Sequence, residues 1–335
     1  MSLIGDLGLV KPVKKRGVRL SEFDVCNRIV ENISRVIVGK AAAIELLMVA
    51  LLGDGHVLIE DVPGLGKTKL AKALARSFNG VFRRAQCTPD LLPGDITGFS
   101  VYNRNTGDFE IRSGPIMAHI FLVDEINRAI PRTQSSLLEG MEERQVTIEG
   151  RTLPLFKPFF VIATQNPIEL EGTFPLPEAQ LDRFMLRIGL GYPAKGEEME
   201  ILRRFQKGDP LEGLGPVASP EDLLNVQERV RAVHVAGAVR EYITDLIAAT
   251  RNCDSLRYGA SPRAGLALMR GSQALAAMRG RDYVVPEDVK YLAGVVLPHR
   301  LILSEEERLK GTSPEAILDD LVSRVPPPAL VGAGL

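Results

Sequence analysis

The chain has few cysteines, almost no net charge and no long apolar segment. Its three cysteines are far apart and lack metal-ligand spacing, so they are interpreted as ordinary thiols of a reducing cytoplasm. A formal net charge of -1 provides no overall field favouring nucleic acid or a membrane surface. No apolar run approaches the ~20 residues that span a bilayer, and the first residues lack the apolar core of a signal peptide. We therefore expect a cytoplasmic protein without a transmembrane segment.

The length of 335 residues exceeds one average domain, which favours two. Strand and helix signals alternate up to about residue 193, and the remainder resembles a series of helices. We predict a basic tail over 1–19, an α/β core over 20–193 and a helical lid over 194–335, with the boundary where Gly and Pro cluster at 191–196. The basic residues of the tail are interpreted as solvated.

The α/β part is predicted to hold a parallel sheet buried on both faces, because its strand candidates are short, apolar and separated by helices. Helices are predicted over 41–52 and 67–78, and strands over 56–59, 81–85, 120–123, 159–163 and 184–188. Two stretches interrupt the alternation: 88–115, with two short β-like pieces, and 145–154, which is typical of a hairpin. Loops of such length inside a compact domain are more often functional than idle.

A phosphate-binding loop is predicted at 61–68, DVPGLGKT, between a predicted strand and a predicted helix. Gly64 and Gly66 allow a tight turn whose N–H groups point at phosphate oxygens, and the helix N-terminus adds its unpaired donors. Lys67 would neutralise the β- and γ-phosphates of ATP, and the Thr68 hydroxyl would bind Mg²⁺. Asp61 stands where the motif has its first glycine, which conflicts with phosphate binding unless the carboxylate points away.

A second element is the apolar strand that ends in Asp124 and Glu125. Such a strand delivers carboxylates to the edge where α/β sheets bind ligands. Asp124 would hold Mg²⁺ through water, and Glu125 would polarise the attacking water as a general base. A strand ending in two acids is common in isolation, but in one domain with the phosphate loop it predicts a nucleotide-hydrolysing site.

The ordered motifs resemble those of the AAA+ superfamily and, within it, the MoxR family. The resemblance covers about 36–328, and its carriers are VIVGK at 36–40, EDVPGLGKT at 60–68, VDEINR at 123–128, LEGMEERQVTI at 138–148, ATQNP at 163–167, LDRF at 181–184 and SPRA at 261–264. Each motif is unspecific alone, but all of them in this order are hard to obtain otherwise. The resemblance implies a P-loop NTPase core with an insertion in the second core helix, a hairpin before sensor 1 and a helical lid.

The resemblance also implies three further catalytic residues. Asn166 is similar to sensor 1, whose amide orients the attacking water, with a plain turn residue before Pro as the alternative. Arg183 is similar to the arginine finger that reaches the γ-phosphate of a neighbouring subunit, the alternative being a salt bridge to Asp182 or Glu178. Arg263, in the first turn of a lid helix, is similar to sensor 2 and is expected to contact nucleotide in its own subunit; a surface arginine is the alternative.

The implied nucleotide contacts extend beyond the phosphate loop. Gly39 and Lys40 correspond to the segment near the adenine, although the family more often has Gln at the position of Lys40. Arg128 is a candidate phosphate or interface sensor. The predicted ATP-binding residues are Gly39, Lys40, Val62, Pro63, Gly64, Leu65, Gly66, Lys67, Thr68, Lys69 and Asp124, with Thr68 and Asp124 as the Mg²⁺ ligands.

The resemblance implies a homo-oligomer, expected to be a hexameric ring, because Arg183 would act between subunits. It favours a chaperone-like ATPase that remodels protein complexes or assists metal cofactor insertion, with a protein client and a partner bearing a von Willebrand factor A domain. The motor subunit of a magnesium-type chelatase, a DNA-directed motor and a non-catalytic nucleotide-binding regulator remain alternatives. The charge balance disfavours the DNA motor, and the regulator would have little use for Glu125 and Asn166.

Overall fold

The computed structural model describes residues 23–167 and 172–328. The predicted basic tail, 1–19, lies outside these residues. None of the helices in the described ranges has the length and apolar character needed to span a bilayer.

The elements follow the predicted pattern of strands alternating with helices and then a helical C-terminal part. The helices are α1 (Asp24–Ser34), α2 (Ala41–Leu52), α3 (Lys67–Ser77), α4 (Pro93–Thr97), α5 (Pro131–Glu143), α6 (Glu178–Leu181), α7 (Lys195–Phe205), α8 (Pro220–Ala232), α9 (Gly237–Arg251), α10 (Pro262–Met278), α11 (Pro286–Val296), α12 (Glu305–Lys310) and α13 (Pro314–Arg324). The strands are β1 (Val57–Glu60), β2 (Phe82–Gln86), β3 (Gly98–Asn103), β4 (Asp108–Ser113), β5 (Ile120–Asp124), β6 (Gln145–Ile148), β7 (Arg151–Pro154), β8 (Phe160–Gln165), β9 (Leu186–Ile188), β10 (Leu256–Tyr258) and β11 (Ile302–Leu303).

The core is a five-stranded sheet with the order β2-β5-β8-β1-β9, and every pairing in it is parallel. On β5, Ile120 and Leu122 face one hydrophobic cluster while Phe121 and Val123 face the other, and all four are fully buried. A strand buried on both faces carries a continuous apolar run, as the sequence pattern predicted. The predicted α/β core is confirmed.

The strand order determines where the site forms. β8 lies between β5 and β1, so the carboxyl ends of these three strands meet at one edge of the sheet. The phosphate loop follows β1, Asp124 ends β5, and Asn166 follows β8. Three segments that are distant in sequence therefore converge because parallel strands end together.

Both interruptions of the alternation are antiparallel hairpins. β3 pairs with β4, and β6 pairs with β7 in the register Gln145↔Pro154 to Ile148↔Arg151. On the first hairpin Tyr102 and Phe109 are more than half exposed, with ring centroids 5.4 Å apart. The hairpin predicted over 145–154 is confirmed. The two β-like pieces predicted within 88–115 pair with each other as another hairpin, which presents aromatic surface to solvent.

The C-terminal part packs around α10, which contacts α8, α9, α11 and the core helix α2. Its N-cap is Ser261, whose hydroxyl accepts from the Ala264 N–H. The predicted helical lid is confirmed, with one addition: β10 and β11 form a two-stranded antiparallel pair that no strand signal indicated.

A buried arginine joins this lid to the core. Arg300, 7% exposed, donates from Nε to the Asp182 carboxylate at 2.7 Å and from Nη2 to the Phe184 carbonyl at 2.6 Å. The Ser261 hydroxyl donates to the other Asp182 oxygen at 3.0 Å. Because burial requires the guanidinium to be satisfied by fixed acceptors, these bonds hold the lid against the residues that flank Arg183.

Candidate nucleotide site

The phosphate loop joins β1 to α3 in a left-handed conformation. Gly64 has φ 88° and Gly66 has φ 85°, and both positions open onto free space. Other L-residues rarely adopt this region, which explains the two glycines. Gly66 is the N-cap of α3, so the first N–H groups of the helix have no intrahelical partner. The loop is built to receive an anion.

The loop lies in a cleft of about 410 Å³ at the carboxyl edge of the sheet. The cleft brings together Lys67, Thr68, Asp124, Glu125 and Asn166. Its lining residues are Asp61, Pro63, Gly64, Gly66, Lys67, Thr68, Lys69, Arg84, Gln86, Asp124, Glu125, Thr164 and Asn166. The predicted site residues that do not line it are Gly39, Lys40, Val62, Leu65, Arg183 and Arg263.

Lys67 projects into a half-buried position. Its Nζ donates to the backbone carbonyl of Asp61 at 2.6 Å. Burial lowers the pKa of Lys67, and the nearby carboxylates of Asp61, Asp124 and Glu125 oppose that shift. A desolvated ammonium surrounded by acids gains from an incoming phosphate because the phosphate replaces lost hydration.

The Asp61 carboxylate points away from the phosphate cradle. It accepts hydrogen bonds from the backbone N–H groups of Leu190 and Gly191, the latter at 3.3 Å, in the turn that follows β9. The side chain at the first loop position therefore joins the loop to the segment that leads into the lid. This geometry removes the conflict between Asp61 and a phosphate ligand.

Thr164 joins the two acids at the end of β5. Its hydroxyl donates to Asp124 Oδ1 at 2.5 Å and accepts from the backbone N–H of Glu125 at 2.9 Å. Glu125 has φ 55°, a left-handed conformation that costs a non-glycine residue energy and is common at functional sites. No role was predicted for Thr164, although it precedes Asn166 by two positions on a buried strand.

Two arginines pair with these acids. Arg84, on β2, donates from Nη2 to Asp124 Oδ2 at 2.7 Å, and Arg128 donates from Nη1 to Glu125 Oε2 at 3.1 Å. Arg84 also donates to Gln86, which lies opposite Asp124 in the β2–β5 register. No sequence motif marked Arg84, because its role depends on strand pairing.

The donor chemistry of the cleft suits Mg²⁺. Thr68 supplies a hydroxyl and Asp124 a carboxylate, and both line the cleft beside the phosphate loop. Mg²⁺ binds oxygen and is usually held by one or two protein groups together with water and substrate phosphates. Within the described residues, no group of three or more His, Cys, Asp or Glu side chains could hold a metal by itself.

Gly39 and Lys40 lie beside the segment that follows β9. Lys40 Nζ donates to the Tyr192 carbonyl at 3.1 Å. At Gly39, φ is 71° and a Cβ atom would stand 2.0 Å from the Glu197 carboxyl carbon. Gly39 and Lys40 therefore lie against the same segment, 191–197, whose Gly191 N–H binds Asp61 at one end of the phosphate loop.

Arg183 and Arg263 meet in a second cleft of about 370 Å³. Arg183 Nε lies 3.0 Å from Glu142 Oε2, and Arg263 Nη2 pairs with the other oxygen of the same carboxylate. The salt-bridge partner of Arg183 is therefore Glu142, not Asp182 or Glu178. The expectation that Arg263 contacts nucleotide in its own subunit gains no support, because the bonds from Ser261 and Arg300 to Asp182 hold the start of α10 beside Arg183.

The chain is similar to proteins of a known family. Residues 56–186 match the profile of the ATPase family associated with various cellular activities (AAA), and residues 248–321 match an AAA lid domain. The chain is 50% identical to the uncharacterized protein YeaC of Bacillus subtilis over 89% of its length and 93% of that protein. It is 42% identical to the chaperone MoxR1 of Mycobacterium tuberculosis over 91% of this chain and 83% of that one.

Similarity extends to the protein MoxR of Paracoccus denitrificans, at 34% identity over 88% of this chain and 94% of that protein. Among solved structures, a protein of Cytophaga hutchinsonii named for an inferred ATPase activity superimposes with a TM-score of 0.87. It is 39% identical, and the match covers 92% of this chain and 96% of that one. The predicted family is confirmed: the chain belongs to the MoxR family of AAA+ ATPases.

Proposed function

We propose that this protein hydrolyses ATP to ADP and phosphate at sites shared between the subunits of a ring. The observation that carries the proposal is the separation of the catalytic groups. The phosphate loop, Asp124, Glu125 and Asn166 line one cleft, whereas Arg183 lies in another. A site that needs all of them is completed when the second cleft of one subunit meets the first cleft of the next.

Within the first cleft, the loop N–H groups and Lys67 bind the phosphates. Thr68 and Asp124 would hold Mg²⁺, which when bound neutralises charge on the β- and γ-phosphates. Glu125 accepts the proton of the attacking water, and the Asn166 amide orients that water. For this step the Glu125 carboxylate must exchange its bond to Arg128 for one to water, since a paired carboxylate is a weaker base.

Arg183 supplies positive charge to the γ-phosphate of the neighbouring subunit, where charge develops in the transition state. Arg263 belongs to the same trans group in this proposal, because both arginines bind one carboxylate. In a closed ring of identical head-to-tail contacts, each subunit's site receives the arginines of a neighbour, so that every site is complete. A hexamer is the ring size implied by the family resemblance.

The biological role that fits best is chaperone-like remodelling or maturation of protein complexes, including metal cofactor insertion. Relatives named MoxR and chaperone MoxR1 support it, as does the aromatic surface of the β3–β4 hairpin, which is suited to contact a protein client. A partner with a von Willebrand factor A domain belongs to the same proposal.

The test is the ATPase rate against protein concentration, with sizing in ATP, for the wild type, Glu125→Gln and Arg183→Ala. We expect activity per subunit to rise with assembly. Both variants should be inactive while still binding ATP. A concentration-independent rate that neither variant changes would refute the shared site. Retention of a protein client by the ATP-loaded Glu125→Gln ring, and not by Lys67→Ala, tests the chaperone role.

A further inference from the structure

One carboxylate lies between the two arginines of the second cleft. Glu142, near the end of α5, pairs through Oε2 with Arg183 of the core and through Oε1 with Arg263 of the lid. The two guanidinium groups come from chain segments about 80 residues apart. Each of them binds one oxygen of this side chain.

The charges around this point explain why the carboxylate matters. The second cleft is lined by five arginines and three carboxylates: Arg144, Arg183, Arg263, Arg270, Arg300, Asp54, Glu142 and Asp182. Asp54 pairs with Arg144 and Arg231, and Asp182 pairs with the buried Arg300. Among the described residues, Glu142 is thus the only carboxylate paired with Arg183 and Arg263. Without it, two guanidinium groups in one cleft repel each other.

We infer that Glu142 is the positioning residue that holds Arg183 and Arg263 as a pair, so that both reach the phosphates of the neighbouring subunit's nucleotide together. This inference depends on the proposed trans site. The fixed geometry is useful because electrostatic stabilisation works best when the charges need not reorganise during reaction. The side chains are partly exposed, at 29% for Arg183 and 45% for Arg263, so an incoming phosphate can reach them.

Glu142 also lies close to the start of the β6–β7 hairpin. α5 ends at Glu143, and the β6–β7 hairpin begins at Gln145. Arg144 fixes this turn through bonds to the Phe159 and Asp54 carbonyls. The carboxylate that orients the arginines is therefore anchored at the base of the β6–β7 hairpin.

The experiment compares Glu142→Gln with Glu143→Gln. The control residue is adjacent, is exposed and has no ion-pair partner within the described ranges. Glu142→Gln keeps the side-chain shape and removes the charge. In assembled protein we expect its kcat to fall by about tenfold to a hundredfold, because a small misplacement of a catalytic group costs this much. KM for ATP should change by less than about threefold, since the phosphate loop is intact. Glu143→Gln should match the wild type.

Two further measurements separate positioning from a loss of folding. On an Arg263→Ala background, which is expected to keep measurable activity, Glu142→Gln should lower kcat by a smaller factor than it does in the wild type. In mixed rings, Glu142→Gln and Glu125→Gln subunits should regain activity beyond the sum of the separate preparations. The Glu125→Gln subunit then supplies an intact Glu142 and its arginines to a neighbour with an intact base.

Wild-type kcat for Glu142→Gln, a raised kcat, or mixed rings without gain would each overturn the inference. Normal activity of Arg183→Ala would instead refute the proposed trans site. Inactive Arg183→Ala beside fully active Glu142→Gln would refute only the role of Glu142.

Discussion

The Asp61 carboxylate and the Gly191 N–H are hydrogen-bonded although 130 positions separate the two residues. One belongs to the phosphate loop and the other to the segment that leaves the sheet toward the lid. The bond therefore links the nucleotide cradle to the start of the lid.

Replacing Asp61 tests this link. Asp61→Ala leaves the partly buried N–H of Leu190 and the exposed N–H of Gly191 without this acceptor. The loss at Leu190 should lower the free energy of unfolding by about 1–2 kcal/mol. Asp61→Asn, which keeps one acceptor oxygen, should lose less. Urea unfolding measures both. Asp61→Gly restores the usual loop residue, yet it should not tighten ATP binding, because the native carboxylate points elsewhere. A tenfold gain in affinity, measured by titration, would contradict this geometry.

The Thr164 hydroxyl is expected to support the catalytic acids. Thr164→Val keeps the shape of the side chain but removes the bonds to Asp124 Oδ1 and the Glu125 N–H. We expect kcat to fall by about tenfold to a hundredfold as the carboxylates lose their positions, with nucleotide binding largely retained. Thr164→Ser is the matched control and should stay close to the wild type. Equal rates for the Val and Ser variants would show that the hydroxyl is dispensable.

The position of Arg263 predicts where it acts. Arg263→Ala should lower kcat in assembled protein while ATP binding persists, since the residue does not line the phosphate cleft. An arginine that acts in trans typically contributes about 10³-fold or more to kcat, and a loss of at least tenfold is expected for this second member of the pair. Mixing Arg263→Ala with Glu125→Gln subunits should restore activity. If mixing restores nothing, the residue serves its own subunit's site.

Two buried histidines predict acid sensitivity. Burial lowers the pKa of His56 and His299 well below 6.5. The Nδ1 atom of His56 accepts from the Val161 N–H at 3.0 Å, which protonation would prevent. The unfolded chain then binds more protons than the folded one below pH 6.5, so stability is full above that pH and falls as pH decreases.

The measurement is urea unfolding between pH 7.5 and 5.5. We expect the free energy of unfolding to fall toward the acid end, with a slope of up to about 1.4 kcal/mol per pH unit for each histidine. His56→Gln should be less stable at pH 7.5 and should show a shallower slope. A wild type whose stability is flat over this range would contradict the buried neutral state.

The parts of the site that depend on local pattern were predictable from sequence. Gly64, Gly66 and Lys67 stand between a strand and a helix, so their conformation follows from neighbours in the chain. The proximity of Asp124 and Asn166 was predictable, because parallel apolar strands end at one edge of the sheet. The fold and the family were predictable for the same reason, and both predictions are confirmed.

The features of the site that could not be predicted from the sequence depend on contacts between distant segments. The direction of the Asp61 side chain depends on Gly191, and the pairing of Arg84 with Asp124 depends on strand order. Glu142 was part of a recognised motif, but its role requires Arg183 and Arg263 to meet in space. The expectation that Arg263 serves its own subunit came from the family resemblance, and only the packing of the lid made the trans arrangement preferable.

The Arg300 guanidinium binds Asp182 and Phe184, the two residues next to Arg183 in the chain. In the proposed ring, rotation of a subunit's lid would therefore move the Arg183 side chain that it presents to its neighbour. A change of nucleotide in one site would then alter the position of the arginine supplied to the next site. We expect ATP hydrolysis in such a ring to be cooperative between neighbouring subunits.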